Sequence, residues 1–277
     1  MLPPENISHQ PPIAASCSGV VKVYWNASNE VQALKGIDAV FQAGTVTLVM
    51  GPSGSGKSSL LRILACIERP TAGEVRVGET QVNGLQSRSL RALRGRLLSY
   101  VFPRPSDNLV PYLTAKEHLR MWARIRGGRA DEVAELLEAT GLTGRARHHP
   151  GELSGGEQQR LALAAAVVGE PTLVLSDEMT SELDSQSGRR LMGLVRELAA
   201  RGRTFVVASH DPALEEMADV VIHLRHGSVE AETKSGGRLA VIDSFGRIQM
   251  PPEALSLFPS NRAQIRVLDG QVVVEPP

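Results

Sequence analysis

The most informative segment of this sequence is a run of eight residues, GPSGSGKS, from Gly51 to Ser58. It fits the pattern GxxxxGK[ST], in which glycines let the backbone curl so that successive N–H groups point at one chain of phosphates. In this pattern Lys57 reaches the terminal phosphates, and the hydroxyl of Ser58 can ligate Mg²⁺. By average residue usage, a chance match of the fixed positions is expected in roughly one chain in a hundred. The sequence therefore predicts a site for a nucleotide phosphate chain and its magnesium ion.

A second group of chemical residues ends the apolar run LVLSDE, from Leu173 to Glu178. Such a run predicts a buried strand, which places its acids at the carboxyl edge of a sheet, where open α/β sheets bind ligands. There Asp177 can hold Mg²⁺ through water, and Glu178 can polarise an attacking water. Taken alone, the pair would more often be ordinary strand-terminal acids. The phosphate loop earlier in the chain favours the catalytic interpretation.

A third group is LSGGEQQR, from Leu153 to Arg160. A serine and two glycines at a helix start form a second anion-binding site, since helix N-termini carry partial positive charge and open N–H groups. As a lone helix cap this motif would be unremarkable. One nucleotide can use only one such terminus well, so the second is expected to serve a nucleotide held by another subunit.

The elements around these motifs predict an α/β fold. Three apolar runs, at 45–50, 172–176 and 204–209, are typical of buried parallel strands. A helical pattern over 58–66 follows the glycine loop, which completes strand, loop and helix. Alternation of strands and helices favours a largely parallel sheet. Prolines followed by helical patterns indicate an inserted helical subdomain over about 103–160.

Residues from about 19 to 232 resemble the ATP-binding-cassette (ABC) ATPase family. LSGGEQQR resembles the family signature, and its place between the phosphate loop and LVLSDE is the family's order. The resemblance implies a P-loop NTPase domain of the ABC type and a head-to-tail dimer. In that dimer two ATP molecules lie between the phosphate loop of one subunit and the signature of the other. More narrowly, residues 23–38 and 51–75 resemble the lipoprotein-release and macrolide-exporter branch.

The resemblance also implies roles for single residues. Catalysis is expected from Lys57, Glu178 and His210, the last matching the histidine that contacts the γ-phosphate. Asp184, in SELD, matches the loop that communicates across the dimer. Tyr24 matches the aromatic residue that stacks on adenine, the alternative being a core position on an early strand. Other expected contacts of ATP are Gly51, Pro52, Ser53, Gly54, Ser55, Gly56, Lys57, Ser58 and Ser59. Expected contacts of the partner subunit's ATP are Leu153, Ser154, Gly155, Gly156 and Glu157.

One departure from the family pattern lies after the strand that contains Tyr100. The family typically reads VFQ there, whereas this chain reads VFP and places Pro103 where glutamine is expected. Proline has no side-chain amide and no N–H, so it cannot supply the glutamine's contact to Mg²⁺ and the attacking water. We expect weakened Mg²⁺ coordination or altered coupling to the partner, with ATP binding retained.

Composition limits the classes of function. The 277 residues include 30 Lys and Arg and 30 Asp and Glu, so the net charge of zero argues against a general polyanion-coating role. The two cysteines, Cys17 and Cys66, lie far apart and are typical of thiols in a cytosolic protein. The longest apolar run, 161–168, is far shorter than the ~20 residues of a spanning helix. We therefore expect a cytoplasmic protein, peripheral on the inner face of the cell membrane.

The two ends of the chain differ from the middle in residue composition and pattern. Residues 1–18 contain four prolines and no period, which predicts a flexible tail. TKSGG at 233–237 has the composition of a linker. Four short strands are predicted beyond it, at 239–242, 247–250, 264–268 and 271–275. Asp269-Gly270 between the last two is a hairpin signal.

Residues 233–277 are therefore predicted to form a small all-β module. GRIQMPPE, from Gly246 to Glu253, resembles the core of AbrB/SpoVT-type swapped-hairpin domains, which are intertwined dimers that often bind DNA. Residues 232–277 hold five basic and five acidic residues, whereas a phosphate-binding surface requires a net basic face. A dimerisation or regulatory module is the preferred hypothesis, and the sequence carries no strong nucleic-acid signal.

The leading functional hypothesis is the ATPase subunit of a membrane ABC transporter of the exporter or extractor type. It would work as a homodimer, or as paired ATPase subunits, with a separate integral membrane permease docked beside residues 103–125. A second hypothesis is a mechanotransmission ATPase that signals through a membrane partner. A third is a DNA-binding regulatory ATPase that uses the C-terminal module.

Overall fold

The structure is a computed structural model that describes residues 12–26, 29–234, 237–242, 246, 248, 250, 252–258, 262–268 and 271–277. Its strands are β1 (Ile13–Asn26), β2 (Asn29–Gln42), β3 (Val46–Met50), β4 (Ala72–Val77), β5 (Thr80–Gln81), β6 (Leu98–Val101), β7 (Leu173–Asp177), β8 (Phe205–Ser209), β9 (Val220–Arg225), β10 (Ser228–Lys234), β11 (Gly237–Ala240), β12 (Gln264–Leu268) and β13 (Gln271–Glu275). Its α-helices are α1 (Lys57–Leu64), α2 (Ser87–Leu97), α3 (Ala115–Arg126), α4 (Glu132–Ala139), α5 (Gly155–Val167), α6 (Ser185–Ala200) and α7 (Pro252–Leu255).

The central element is a seven-stranded sheet in the order β11-β10-β9-β3-β8-β7-β6. The five strands from β9 to β6 are parallel, and β10 and β11 add antiparallel to one edge. Every residue of β3, β7 and β8 is buried, as expected for parallel strands that are covered on both faces. The carboxyl ends of β3, β7 and β8 therefore meet at one edge of the sheet. The α/β fold predicted from the sequence is confirmed.

A second, antiparallel sheet in the order β2-β1-β4-β5 lies over α1. This helix buries Leu60, Leu61, Ile63 and Leu64 in a core that includes residues of β1, β2 and β4 on one side and of β3, β7 and β8 on the other. The apolar residues of α1 recur at helical spacing, and their burial holds the helix between the two sheets. The glycine loop that precedes α1 is thereby held in place.

The fully described segment 103–160 contains no strand. Its helix α3 starts at a capping box formed by Thr114 and Glu117, and it ends at Gly127 in the left-handed conformation. The helices α3, α4 and α5 share one apolar core that continues beneath the large sheet through β3, β7 and β8.

The predicted N-terminal tail is too long. Residues 13–18 form the first part of β1, paired with both β2 and β4. Ala14 and Ala15 are both buried, and the register shifts between Ile13 and Ala15. In such an irregular strand of small residues, apolar and polar side chains do not alternate with a period of two. The sequence pattern therefore did not indicate a strand there. Residues 1–11 of the predicted tail lie outside the described residues.

The predicted linker at 233–237 falls on two paired strands. Thr233 and Lys234 end β10, Gly237 begins β11, and the two strands pair from Ala231↔Ala240 to Lys234↔Gly237. A short glycine-containing connection between antiparallel strands has the same composition as a linker, which explains the misassignment. The strand predicted at 239–242 overlaps the edge strand β11 at Leu239 and Ala240 only, since β11 begins and ends two residues earlier.

The remaining predictions for the C-terminal region have mixed outcomes. The pair β12 and β13 forms the expected antiparallel hairpin, and its turn at 269–270 lies outside the described residues. Of the strand predicted at 247–250, residues 247 and 249 lie outside the described residues, and Ile248 forms a single antiparallel bridge with Ile242.

Candidate functional site

The phosphate loop curls between β3 and α1. Gly56 caps α1 with a φ of +107°, and a Cβ there would lie 2.6 Å from the carbonyl oxygen of Ala33, so only glycine fits. No side chain caps the N–H groups of the first turn, and that turn contains no acid. The open N–H groups and the partial positive charge of the helix end are the requirements of an anion site.

Lys57 is the first residue of α1, and its buried side chain reaches back to the start of this loop. Its Nζ donates to the carbonyl oxygens of Gly51 at 2.7 Å and Pro52 at 3.2 Å. The same ammonium lies 3.3 Å from Oε1 of Glu178. Three oxygen atoms thus hold the ammonium where the loop curves.

Glu178 follows the carboxyl end of β7 and joins two other predicted site residues. Its Oε2 lies 2.7 Å from Nδ1 of His210, which follows the carboxyl end of β8. The backbone of Glu178 has a φ of +54°, a conformation that costs a side-chain-bearing residue of order 1 kcal/mol or more. Backbone strain of this kind is concentrated at functional sites. The sheet therefore brings Lys57, Glu178 and His210 together from three separate parts of the chain.

A second contact set surrounds the buried carboxylate of Asp177. The hydroxyl of Ser58 donates to Oδ1 at 3.0 Å, and the hydroxyl of Tyr100 donates to Oδ2 at 3.0 Å. Burial, together with the neighbouring carboxylate of Asp177, raises the pKa of Tyr100, so the phenol remains a donor at neutral pH. Sequence reasoning missed Tyr100. The available signal was a hydroxyl-bearing residue within the otherwise apolar run that precedes Pro103.

Tyr24 is half-buried on β1 close to the start of α1. Its hydroxyl lies 2.7 Å from Oε2 of Glu68 and 3.1 Å from Oγ of Ser59. The Nζ of Lys22 lies 4.9 Å from the centroid of the ring. The phenol is thus anchored by its hydroxyl beside the phosphate loop, and the ring is not part of the apolar core. Glu68, which the sequence analysis did not select, is the acid that holds it.

The signature segment starts α5 with its own cap. The side chain of Ser154 accepts from the N–H of Glu157 at 3.3 Å, and Oε2 of Glu157 accepts from the N–H of Ser154 at 2.8 Å. These backbone bonds, and the guanidinium of Arg145 at 3.0 Å, lower the pKa of Glu157 to about 2. Within the described part of the chain, no hydrogen bond or ion pair joins residues 153–157 to the phosphate loop.

Two further predicted positions have defined local roles. Asp184 caps α6 by accepting from the N–H groups of Gln186 and Ser187, both at 3.0 Å. Pro103 lies in a loop that is held by Asn108, whose side chain bonds the backbone of Phe102 in both directions at 2.8 and 3.0 Å. No polar side chain is present at position 103, as the sequence indicated.

The arrangement suits a magnesium nucleotide. The hydroxyl of Ser55 is buried within the phosphate loop and has no hydrogen-bond partner among the described residues, which leaves a polar atom for a ligand to satisfy. The hydroxyl of Ser58 and the carboxylate of Asp177 are hard oxygen donors of the type that Mg²⁺ prefers, with phosphates completing its shell. The site can therefore hold a phosphate chain beside one carboxylate, Glu178, that could act on water.

Comparison with known proteins agrees with this geometry. The family model described as ABC transporter matches residues 34–181. An uncharacterized ABC transporter ATP-binding protein of Thermotoga maritima is 38% identical over 221 residues, which are 78% of this chain and 94% of that protein. A macrolide export ATP-binding/permease protein, MacB 1/2 of Paracoccus denitrificans, is 37% identical over 226 residues. Those residues are 80% of this chain and 34% of that protein, so the chain spans about a third of the permease-containing relative.

The solved structures lead to the same family. The ATP-binding cassette MJ0796, a dimer with bound ADP and phosphate, superposes with a TM-score of 0.72 at 34% identity and covers 79% of this chain and 98% of that one. Its curated counterpart comes from Methanocaldococcus jannaschii. None of the described helices of this chain is long and apolar enough to cross a membrane.

Proposed function

The chain belongs to the ABC transporter family, and we propose that it is an ATPase subunit that powers an integral membrane permease from the inner face of the cell membrane. The observation that carries this proposal is the cluster of Lys57, Glu178 and His210 at the end of the phosphate loop, with Ser58 and Asp177 beside it. The permease-containing macrolide exporters among its relatives support the choice of partner.

In the proposed mechanism the phosphate loop binds the phosphates of ATP, through its N–H groups and through Lys57. Tyr24 stacks on the adenine. Ser58 and Asp177 would hold Mg²⁺, Asp177 through water. When bound there, Mg²⁺ supplies charge neutralisation on the phosphates. Phosphoryl transfer to water depends mainly on positioning and charge stabilisation, which these fixed groups provide.

Glu178 acts as the general base for the attacking water, and His210 contacts the γ-phosphate. Both carboxylate oxygens of Glu178 are engaged, one by Lys57 at 3.3 Å and one by His210 at 2.7 Å. A γ-phosphate would offer both side chains another partner, and for the ammonium of Lys57 a stronger one, since charge-assisted bonds to phosphate are short and strong. ATP binding therefore draws Lys57 and His210 from Glu178 and frees the carboxylate for water.

The signature residues complete the site of a partner subunit. Ser154, Gly155 and Gly156 begin α5 and have no bond to the phosphate loop of their own chain within the described residues. Two copies arranged head to tail would place each signature on the other's ATP, and the dimeric state of the cassette MJ0796 supports this arrangement. In this dimer Asp184 communicates between the two sites.

The decisive variant is Glu178→Gln in the full chain. We expect hydrolysis to fall by about two to four orders of magnitude, the contribution of a positioned general base, while ATP binding and ATP-dependent dimerisation persist. The matched control is Glu197→Gln, which changes an exposed glutamate on α6 and should leave turnover unchanged. Turnover is measured as phosphate release, and binding by calorimetry. Undiminished turnover in Glu178→Gln would show that another group is the base.

The permease is proposed to dock in a cavity of about 320 Å³ between α2, β6 and α3. Its wall includes the apolar side chains of Ile67, Phe102 and Trp122 and the cations Arg94 and Arg126. Such a mixed groove fits an amphipathic segment of a partner.

The test of the partner is purification of tagged Glu178→Gln protein from detergent-solubilised membranes with Mg-ATP. A stoichiometric integral membrane protein supports the proposal, and the fold of that protein separates transport from signalling to extracytoplasmic enzymes. Retained DNA without a membrane partner would contradict the proposal in favour of a regulatory ATPase.

Pro103 is proposed to weaken Mg²⁺ coordination or the coupling between this groove and the nucleotide. Pro103→Gln should therefore raise the permease-stimulated ATPase rate. The ATPase rates of the parent protein and of Pro103→Gln are compared with and without the permease. An unchanged rate in both conditions would contradict a role of Pro103 in Mg²⁺ coordination or coupling.

The C-terminal hairpin is proposed to hold two subunits together in the absence of ATP, as a dimerisation or regulatory module of the AbrB type. Ile265, Val267 and Val272 are 70, 72 and 66% exposed on β12 and β13, and an isolated two-stranded hairpin is only marginally stable. A second copy would cover these side chains and raise the effective concentration of the two ATPase domains.

Deletion of residues 252–277 tests this proposal and leaves β10 and β11 in the large sheet intact. We expect more monomer in the nucleotide-free state, measured by analytical ultracentrifugation, with turnover per ATP-bound dimer retained. An unchanged monomer fraction would contradict it.

A further inference from the structure

The carboxylate of Asp177 is held by two hydroxyl groups that approach different oxygen atoms. Ser58 donates to Oδ1 and Tyr100 donates to Oδ2, each at 3.0 Å, and Asp177 is only 3% exposed. Within the described part of the chain, no other hydrogen bond reaches this side chain. The orientation of a buried carboxylate is thus set by one group on α1 and one on β6.

The hydroxyls of Ser58 and Tyr100 would have different partners once a metal binds. Under the proposed function Ser58 is itself a ligand, so its oxygen turns to Mg²⁺. Tyr100 lies on the strand beside β7 and approaches the opposite oxygen, so it continues to hold Asp177 after the metal is bound. A group that orients a ligand without touching the metal typically changes metal affinity when it is removed.

Tyr100 is itself firmly placed. Its ring packs edge-on against Phe102, with centroids 4.9 Å apart at an interplanar angle of 66°. The guanidinium of Arg62 is close enough to act electrostatically on its hydroxyl. Arg62 also pairs with Oε1 of Glu68 at 3.5 Å. The neighbouring hydroxyl on β6, that of Ser99, donates instead to the carbonyl oxygen of Ala166 at 2.6 Å, so Tyr100 is the polar side chain that this strand directs to Asp177.

We propose that Tyr100 is a positioning residue for magnesium: its hydroxyl fixes the Asp177 carboxylate in the orientation that receives the hydrated ion, and the charge of Arg62 acts on that hydroxyl. The inference rests on the proposed function, because it assumes that Asp177 and Ser58 hold the Mg²⁺ of Mg-ATP. It makes Tyr100 important for binding of the metal complex and unimportant for binding of ATP alone.

The test compares ATP affinity with and without the metal. The full chain carries Glu178→Gln to prevent turnover, and calorimetry gives the affinity for ATP in Mg²⁺ and in EDTA. Adding Tyr100→Phe removes a single oxygen atom from a ring that still packs on Phe102. We expect affinity in Mg²⁺ to fall about tenfold, as for loss of a hydrogen bond to a charged group, and affinity in EDTA to stay within about twofold. Mn²⁺ titration followed by electron paramagnetic resonance gives the metal affinity of the ATP complex directly, with the same expected loss.

The matched control is Tyr112→Phe, which removes the same atom from a side chain that is 79% exposed and should change neither affinity. Arg62→Met is a second variant that leaves the strand untouched, and it should shift the Mg²⁺-dependent affinity in the same direction by less. The proposal is overturned if Tyr100→Phe changes neither affinity, or lowers both equally, which would indicate a general structural role. Failure of the Glu178→Gln protein to bind ATP under either condition would instead overturn the proposed function.

Discussion

The helix starts of α1 and α5 carry similar small residues, Gly and Ser, yet the structure prepares them differently. The first turn of α1 has no side-chain cap and no acid, and it begins with the cation Lys57. The first turn of α5 is closed by a reciprocal capping box between Ser154 and Glu157. An open helix start with a cation can bind a phosphate chain by itself. A capped start with a carboxylate is already satisfied, so a phosphate must be presented to it from outside, as a partner subunit's ATP would be.

The largest expected effect comes from adding a methyl group to one glycine at each helix start. Gly56→Ala places Cβ 2.6 Å from a backbone oxygen in a left-handed conformation, and should lower the free energy of unfolding by about 1–3 kcal/mol and abolish ATP binding. Gly155→Ala has no atom within 4 Å of the new Cβ, and should change stability by less than about 1 kcal/mol. Urea unfolding and calorimetry measure both effects. Equal destabilisation by the two variants would contradict the difference between the helix starts of α1 and α5.

A smaller effect is expected from removing one hydroxyl at each helix start. Ser154→Ala removes the cap of α5 and should cost about 1 kcal/mol of stability in the nucleotide-free protein. Ser55→Ala removes a buried hydroxyl that has no partner in the part of the chain that the structure describes, so stability should stay equal or rise. Urea unfolding of both variants measures the difference, and destabilisation by Ser55→Ala would show that its hydroxyl is already satisfied.

The smallest effect concerns the charge of Glu157. Because its pKa is lowered from 4.5 to about 2 in the folded state, its ionised form stabilises the fold above pH 4.5, and this contribution is lost as the pH falls toward 2. Glu157→Gln should therefore be less stable than the parent protein at pH 7, with the difference shrinking below pH 4.5. Urea midpoints across pH measure it, with the exposed Glu138→Gln as control. A difference that is constant with pH would contradict the electrostatic origin.

Much of the fold and of the candidate site could be predicted because the motifs are local. GPSGSGKS fixes its own loop, since Gly51 and Gly56 take positive φ at positions where a Cβ would strike other backbone. The apolar run before Asp177 predicted a strand that is buried throughout. The tail and the linker were misjudged where the local pattern is ambiguous: Ala14 and Ala15 are small and both buried, and glycine-rich TKSGG suits a turn and a linker equally.

The sequence by itself determined the family and the ATPase chemistry, because those properties lie within short continuous motifs. Only the tertiary structure decided which groups meet around the carboxylates. Ser58, Tyr100 and Asp177 are separated by more than forty residues each, and they come within 3.0 Å because β6 and β7 are neighbours and α1 packs beneath them. No pattern along the chain carries that information, since it depends on strand order and on the register of parallel strands.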